Sequence, residues 1–135
     1  MTRIVDTSVA VKWVVREVGS VNALALVGDD LVAPDLLRAE LGNVLWKKVQ
    51  RGEITAAQAI AGFEEAIDLL AFVPSAGLAL PALAMALELG HPVYDCYFIA
   101  LAEQLDSVLV TADRRLVARL RGTRLASSVE SLGES

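Results

Sequence analysis

Four carboxylates stand where chemistry is expected. Asp6 closes the first short apolar run, Ile4-Val5, and Asp113 lies two residues beyond Thr111, at the end of the β-branched run Ser107 to Thr111. If these runs are neighbouring parallel strands, both carboxylates project into one crevice at the strands' carboxyl ends. Glu40 borders the apolar stripe of Leu37, Leu41, Val44, Leu45 and Val49, and Asp95 opens the apolar face continued by Phe98, Ile99 and Ala102. Each acid alone is equally well read as a helix cap or a solvated charge. Together in one crevice they would repel and raise one another's pKa values. A hard divalent cation relieves that conflict, and Mg²⁺ and Mn²⁺ favour all-oxygen ligand sets. Such a site suits phosphoryl chemistry.

The elements that must position these acids alternate between short β-like runs and longer helical ones. Strands are expected at Ile4-Val5, Leu31 to Ala33, Ala71 to Val73 and Ser107 to Thr111, with a last edge strand at Arg124 to Ala126. Helices are expected at Val9–Arg16, Ser20–Val27, from Asp35 as N-cap to Gly52, from Thr55 as cap through Leu70, at Leu80–Leu89 ending on Gly90, from Asp95 to Glu103 or Gln104, and at Arg114–Leu120. The pattern implies an α/β fold, a short parallel sheet with helices on both faces. With 135 residues the chain suits one domain, 1–135, with a core at about 3–126 and a short C-terminal tail.

At 55% hydrophobic residue types the chain is not disordered. Cys96 is the only cysteine, which excludes an internal disulfide and a Cys-rich zinc site and fits a cytoplasmic protein. His91 is the only histidine and, five residues from Cys96 across Pro92, is poorly placed as the base of a thiol nucleophile. Asp6 interrupts any signal-peptide pattern, and Pro74, Gly77 and Pro81 break the uncharged stretch Leu69–Leu87, so no membrane span is expected.

Four segments resemble the PIN-domain ribonucleases, and among them the VapC-type toxins of VapBC toxin–antitoxin pairs. They are Ile4-Val5-Asp6-Thr7-Ser8; Ala33-Pro34-Asp35 with Arg38-Ala39-Glu40 and Asn43-Val44-Leu45; Val93-Tyr94-Asp95 through Ala100-Leu101-Ala102-Glu103; and Thr111-Ala112-Asp113-Arg114-Arg115-Leu116. The resemblance implies a single PIN-like domain and a Mg²⁺- or Mn²⁺-dependent endoribonuclease whose acids are Asp6, Glu40, Asp95 and Asp113. In that reading Asp6, Asp95 and Asp113 hold the metal, Glu40 positions the attacking water, and Thr7, Ser8 and Thr111 support the site. The resemblance also implies an RNA substrate (tRNA, rRNA or mRNA), a cognate antitoxin protein and a homodimer.

The formal net charge of -5 argues at first sight against nucleic acid. Four of the 17 acidic residues belong to the proposed metal site, however, and the basic residues are grouped beside it. Arg114, Arg115, Arg119, Arg121 and Arg124 follow Asp113, and Lys47, Lys48 and Arg51 follow Glu40 down its helix. Arg114, Arg115, Lys47 and Arg51 are the expected phosphate contacts, with ordinary solvation as the alternative. The seven aromatic residues show no interleaved base-stacking pattern. Val9, Val11, Trp13, Val14 and Val15 crowd the first helix beyond one core face, so a dimer or antitoxin surface is expected there.

Three other chemistries compete. A phospho-acceptor receiver domain needs a late lysine, yet the lysines are Lys12, Lys47 and Lys48. A phosphatase with Asp6 as nucleophile usually carries a second Asp two residues on, where this chain has Ser8. A non-catalytic module would use the acids as caps alone.

Overall fold

The computed structural model describes residues Thr2 to Gly133. Its elements are β1 (Thr2–Val5), α1 (Thr7–Val14), α2 (Ser20–Ala25), β2 (Asp30–Pro34), α3 (Leu36–Gln50), α4 (Ala56–Asp68), β3 (Ala71–Val73), α5 (Ala79–Leu89), α6 (Val93–Gln104), β4 (Val108–Thr111), α7 (Arg114–Leu120) and β5 (Val129–Ser131). One 3₁₀ turn, Ser75–Leu78, leads into α5 and another, Ala126–Ser128, into β5. Among the described residues the five strands form one parallel sheet in the order β3-β2-β1-β4-β5.

The sheet is buried on both sides because successive strand residues face opposite ways. Ile4 and Leu109 enter a cluster with Leu37, Leu41, Ile99, Leu101 and Leu116; Val5 and Val110 enter a second with Val9, Ala23, Leu26 and Leu132. The chain runs from β1 outward to β2 and β3, then returns to place β4 on the other side of β1. That reversal makes the carboxyl ends of β1 and β4 the switch point where such sheets bind ligands.

Local chemistry explains most boundaries. Thr55 and Gln58 close a reciprocal capping box on α4, at 3.1 and 2.9 Å. Gly90, at φ 64°, ends α5 in the left-handed conformation that glycine adopts most readily. Pro81 is accommodated in the first turn of α5, where its missing N–H is least costly.

Four expectations need correction. Asp35 sits at the α3 N-cap position but does not cap the helix; its Oδ1 accepts from Ser75 N–H at 3.0 Å, and Ser75 Oγ accepts from Leu36 N–H at 2.9 Å, so the following turn caps α3. The last strand is Val129–Ser131, not Arg124–Ala126. Arg124 is drawn away by Glu88 and Glu103, at 2.8 to 3.0 Å, and β5 pairs with β4 through Leu109↔Val129 to Thr111↔Ser131. The sheet therefore extends past residue 126, and Leu132 is buried beyond it; Glu134 and Ser135, the end of the expected tail, lie outside the described residues.

The apolar surplus of α1 is also taken up internally. Val9 and Val11 are buried, Trp13 Nε1 donates to the Ala23 carbonyl at 2.8 Å, and Val14 packs on α4 at Gly62. A Cβ on Gly62 would lie 2.3 Å from Val14 Cγ1. Gly62→Ala should thus destabilise the protein by about 1–3 kcal/mol despite the better helix propensity of alanine; urea denaturation would measure it, and an unchanged midpoint would contradict this packing.

No single helix among the described residues is long and apolar enough to cross a membrane. Cys96 is buried with its thiol directed at the Pro92 carbonyl, 3.6 Å away, and burial raises the thiol pKa to about 11. It stays protonated at neutral pH and is not a nucleophile.

Candidate active site

Asp6 is the N-cap of α1 and one of the few buried polar side chains, 6% exposed. The β1–α1 junction places it at the switch point by local logic, since an acid at the N-cap accepts the free amides of the first turn. Its Oδ1 accepts from Val9 N–H at 3.3 Å and from the Ser8 hydroxyl; its Oδ2 accepts from the Thr111 hydroxyl at the end of β4. Ser8 Oγ and Thr111 Oγ1 stand 3.3 Å apart and themselves accept from Ala112 N–H and Asp113 N–H, each at 3.0 Å. The network ties β1 to β4 across the crevice. Burial nevertheless outweighs these donors and raises the Asp6 pKa to about 6, with the charge of Asp95 adding to the rise.

Glu40 lies in the second turn of α3, half-buried, and its Oε1 accepts from the Thr7 hydroxyl at 2.9 Å. Burial raises its pKa, and Asp95 raises it further. Asp95 occupies the first turn of α6, where its Oδ2 meets His91 Nε2 at 2.7 Å. Asp6 and Glu40 both respond to the charge of Asp95, so these three carboxylates share one electrostatic neighbourhood.

Asp113 behaves differently. It is exposed, and its Oδ1 caps α7 by accepting from Arg115 N–H at 2.9 Å and Leu116 N–H at 3.2 Å. Among the described residues no three His, Cys, Asp or Glu side chains converge closely enough to hold an ion. Each carboxylate has its own partners: Thr7, His91, the Ser8–Thr111 pair and the α7 amides. Four convergent acids are expected from sequence; in the structure Asp6 and Asp113 each cap a helix, and the charge of Asp95 bears on Asp6 and Glu40. Because asparagine caps nearly as well as aspartate, Asp113→Asn should leave Tm unchanged, whereas Asp113→Ala should cost about 1 kcal/mol. A thermal scan separates the two, and equal losses would contradict the cap.

The basic residues beside the acids differ in their surroundings. Lys47, Arg51, Arg114 and Arg115 are exposed. Arg119 instead donates to the Leu89 and Gly90 carbonyls, Arg124 is held by Glu88 and Glu103, and Lys48 pairs with Glu17 and Glu53 at 3.5 and 3.6 Å. Sequence reasoning passes over His91, weighing it only as a partner for Cys96; its spacing of four residues from Asp95 is the available signal.

The family model of the PIN domain matches residues 3–122. Ribonuclease VapC3 of Pyrobaculum aerophilum is 33% identical over 124 residues, covering 88% of this chain and 95% of that protein. Exonuclease VapC9 of the same organism is 33% identical over 93 residues, covering 69% and 67%. Among solved structures, PAE2754 from Pyrobaculum aerophilum superposes with a TM-score of 0.72 at 23% identity, over 98% of this chain and 90% of that one. A VapBC2 structure from Rickettsia felis, bound to a DNA fragment from its promoter, gives 0.66 at 14% identity, covering 97% and 98%. These structures share the fold, in which Asp6 stands at the junction of β1 and β4. The match across nearly the whole chain, with VapC3 at that identity, establishes that this protein belongs to the PIN domain family.

Proposed function

We propose that the protein is a metal-dependent endoribonuclease and the toxin of a VapBC-type toxin–antitoxin pair. The observation that carries this reading is Asp6, a buried carboxylate at the β1/β4 switch point whose pKa is raised by burial and by Asp95. Carboxylates perturbed in this way are concentrated at sites that serve a ligand or a reaction. The donor set fits a hard cation: Asp6, Glu40 and Asp95 offer only oxygens and carry like charge. These three would hold Mg²⁺ or Mn²⁺ by drawing together from the separated positions they take here, and Asp113 would join them only by giving up its capping bonds. When bound, the ion would supply charge neutralisation on the scissile phosphate and a lowered pKa for water.

The chain's own residues do the rest. Glu40, its pKa raised, is suited to accept a proton from the attacking water, and Thr7 fixes its orientation. The Ser8–Thr111 hydroxyl pair holds Asp6 in place. Lys47, Arg51, Arg114 and Arg115 are the exposed basic groups proposed to meet the RNA backbone. If they contact phosphates, Lys47→Glu and Arg115→Glu should each weaken RNA binding and reduce its salt slope by about 1. Nitrocellulose filter binding across a salt series measures this; unaltered slopes would remove these residues from the interface.

An antitoxin and a second copy of the chain would need apolar surface, and exposed apolar side chains stand on α3, α4 and α5. Trp46 and Ile60 are 58% and 65% exposed along a groove between α3 and α4 that also includes Leu45, Val49 and Phe63. Leu80, Leu83 and Leu87 form an exposed stripe on α5. We assign the groove to the antitoxin and the stripe to the homodimer. The function is tested by incubating the purified chain with cellular RNA in Mg²⁺, in Mn²⁺ and in EDTA. Discrete fragments in metal and none in EDTA are expected; cleavage unaffected by EDTA would overturn it.

A further inference from the structure

His91 stands just before α6, not on it, because Pro92 is the helix N-cap. Asp95 is therefore the third residue of the helix, the position from which an acid ordinarily reaches back to the N-cap amide. Pro92 has no amide proton, so that partner does not exist here. Asp95 Oδ2 turns instead to His91 Nε2, 2.7 Å away, and the imidazole is the more buried of the two, 14% exposed against 37% for the carboxylate.

The turn that carries His91 is fixed from two sides. Gly90 N–H and His91 N–H both donate to the Ala86 carbonyl, at 2.8 and 3.2 Å, and Gly90 occupies φ 64°. Arg119 reaches across from α7 to donate to the Gly90 and Leu89 carbonyls. A locked turn thus presents one ring nitrogen to one oxygen of Asp95, the carboxylate whose charge both Asp6 and Glu40 feel.

We infer that His91 is a positioning residue for the metal site: by holding Asp95 Oδ2 it sets the carboxylate's rotamer and leaves the other oxygen for the divalent cation. The inference rests on the metal-site reading of Asp6, Glu40 and Asp95. Carboxylate ligands whose outer hydrogen bond is removed lose about 10–100-fold in metal affinity. A purely structural turn residue would instead lower stability without changing how tightly the folded protein takes up metal.

The test is a Mn²⁺ titration of the full-length protein, followed by the loss of the free-ion electron paramagnetic resonance signal. Wild type, His91→Leu and His91→Gln are compared, with Tm recorded for each in EDTA. His91→Leu keeps bulk and removes the donor; His91→Gln carries a donor nitrogen at similar reach. The expected result is about a 10-fold weaker Mn²⁺ affinity in His91→Leu and near wild-type affinity in His91→Gln. Equal affinity in wild type and His91→Leu would overturn the inference while leaving the metal site standing. So would equal weakening in both variants, or failure of His91→Leu to fold, each of which assigns His91 to structure alone. A wild-type protein that takes up no Mn²⁺ would overturn the metal site itself, and the inference with it.

Discussion

Replacing Asp6 by Asn, Glu40 by Gln or Asp95 by Asn should each abolish RNA cleavage, with rate losses of at least about 100-fold. The size follows from chemistry: a lost outer-shell bond already costs about 10–100-fold, and removal of a direct ligand or of the proton acceptor costs more. Each substitution is nearly isosteric and keeps at least one acceptor oxygen, so the fold should survive. The Asp6→Asn side chain still caps α1, because its amide oxygen can accept from Val9 N–H as the carboxylate does. Fragment yield against time, at saturating Mg²⁺, gives the rates. Asp113→Asn should cost less than any of the three, because the Asp113 carboxylate is committed to the α7 amides. If Asp113→Asn proves as inactive as Asp6→Asn while retaining its Tm, Asp113 leaves its cap during the reaction.

The second large effect concerns stability and has the opposite sign. Without metal, Asp6→Asn should make the protein more stable at neutral pH. The Asp6 carboxyl titrates near 6 in the folded chain, against 3.8 for an ordinary Asp, chiefly because burial disfavours the charge. The folded state therefore holds this proton more tightly than the unfolded state does. The contribution is fully present below pH 3.8 and is lost as pH rises through 6. The difference corresponds to about 3 kcal/mol between the two ends. At neutral pH and above, the wild type must keep a charged carboxylate in the crevice, while the amide of Asp6→Asn carries no charge.

In EDTA at pH 7.5, Asp6→Asn should raise Tm by roughly 3–8 °C, and the gain should shrink toward pH 4.5. Glu40→Gln should follow in the same direction, since the Glu40 pKa is also raised by burial. Adding Mg²⁺ or Mn²⁺ should raise the wild-type Tm through linkage and leave that of Asp6→Asn almost unmoved. Differential scanning calorimetry at several pH values reads all of these together. A lower Tm for Asp6→Asn at pH 7.5 in EDTA would contradict the strained carboxylate on which the functional reading stands.

Much of this arrangement is written locally in the sequence. The β-branched run before Thr111, the Thr55 cap and the Gly90 stop each act over a few residues, and the structure places strand, capping box and helix end there. Asp6 is legible for the same reason: an acid closing an apolar run must stand at a strand's carboxyl end. Features decided by distant partners are not legible. Arg124 to Ala126 reads as a strand until Glu88 and Glu103 are known to lie within 3.0 Å of Arg124. Asp35 reads as a cap until Ser75, forty residues on, takes over that task.

The candidate site follows the same division. Glu40 and Asp95 stand out by their place on the borders of apolar faces, and the charge of Asp95 bears on both Glu40 and Asp6. The capping role of Asp113 is visible in the sequence, and the structure shows that bond. His91 is hidden because its role depends on a missing amide at Pro92, which no periodicity reveals. The valines of α1 read as surplus because a sequence does not say how many neighbours a helix has; α1 packs on α2, α3 and α4 as well as on β4.

The most direct test of the metal-dependent endonuclease assignment uses a circularised RNA, which has no end for an exonuclease to enter. Wild type and Asp6→Asn are compared at equal concentration, in Mg²⁺ and in EDTA. Linear product from wild type in Mg²⁺ alone, and none from Asp6→Asn, is the predicted result. An intact circle beside degradation of the linear form, or equal cleavage by Asp6→Asn, would contradict it.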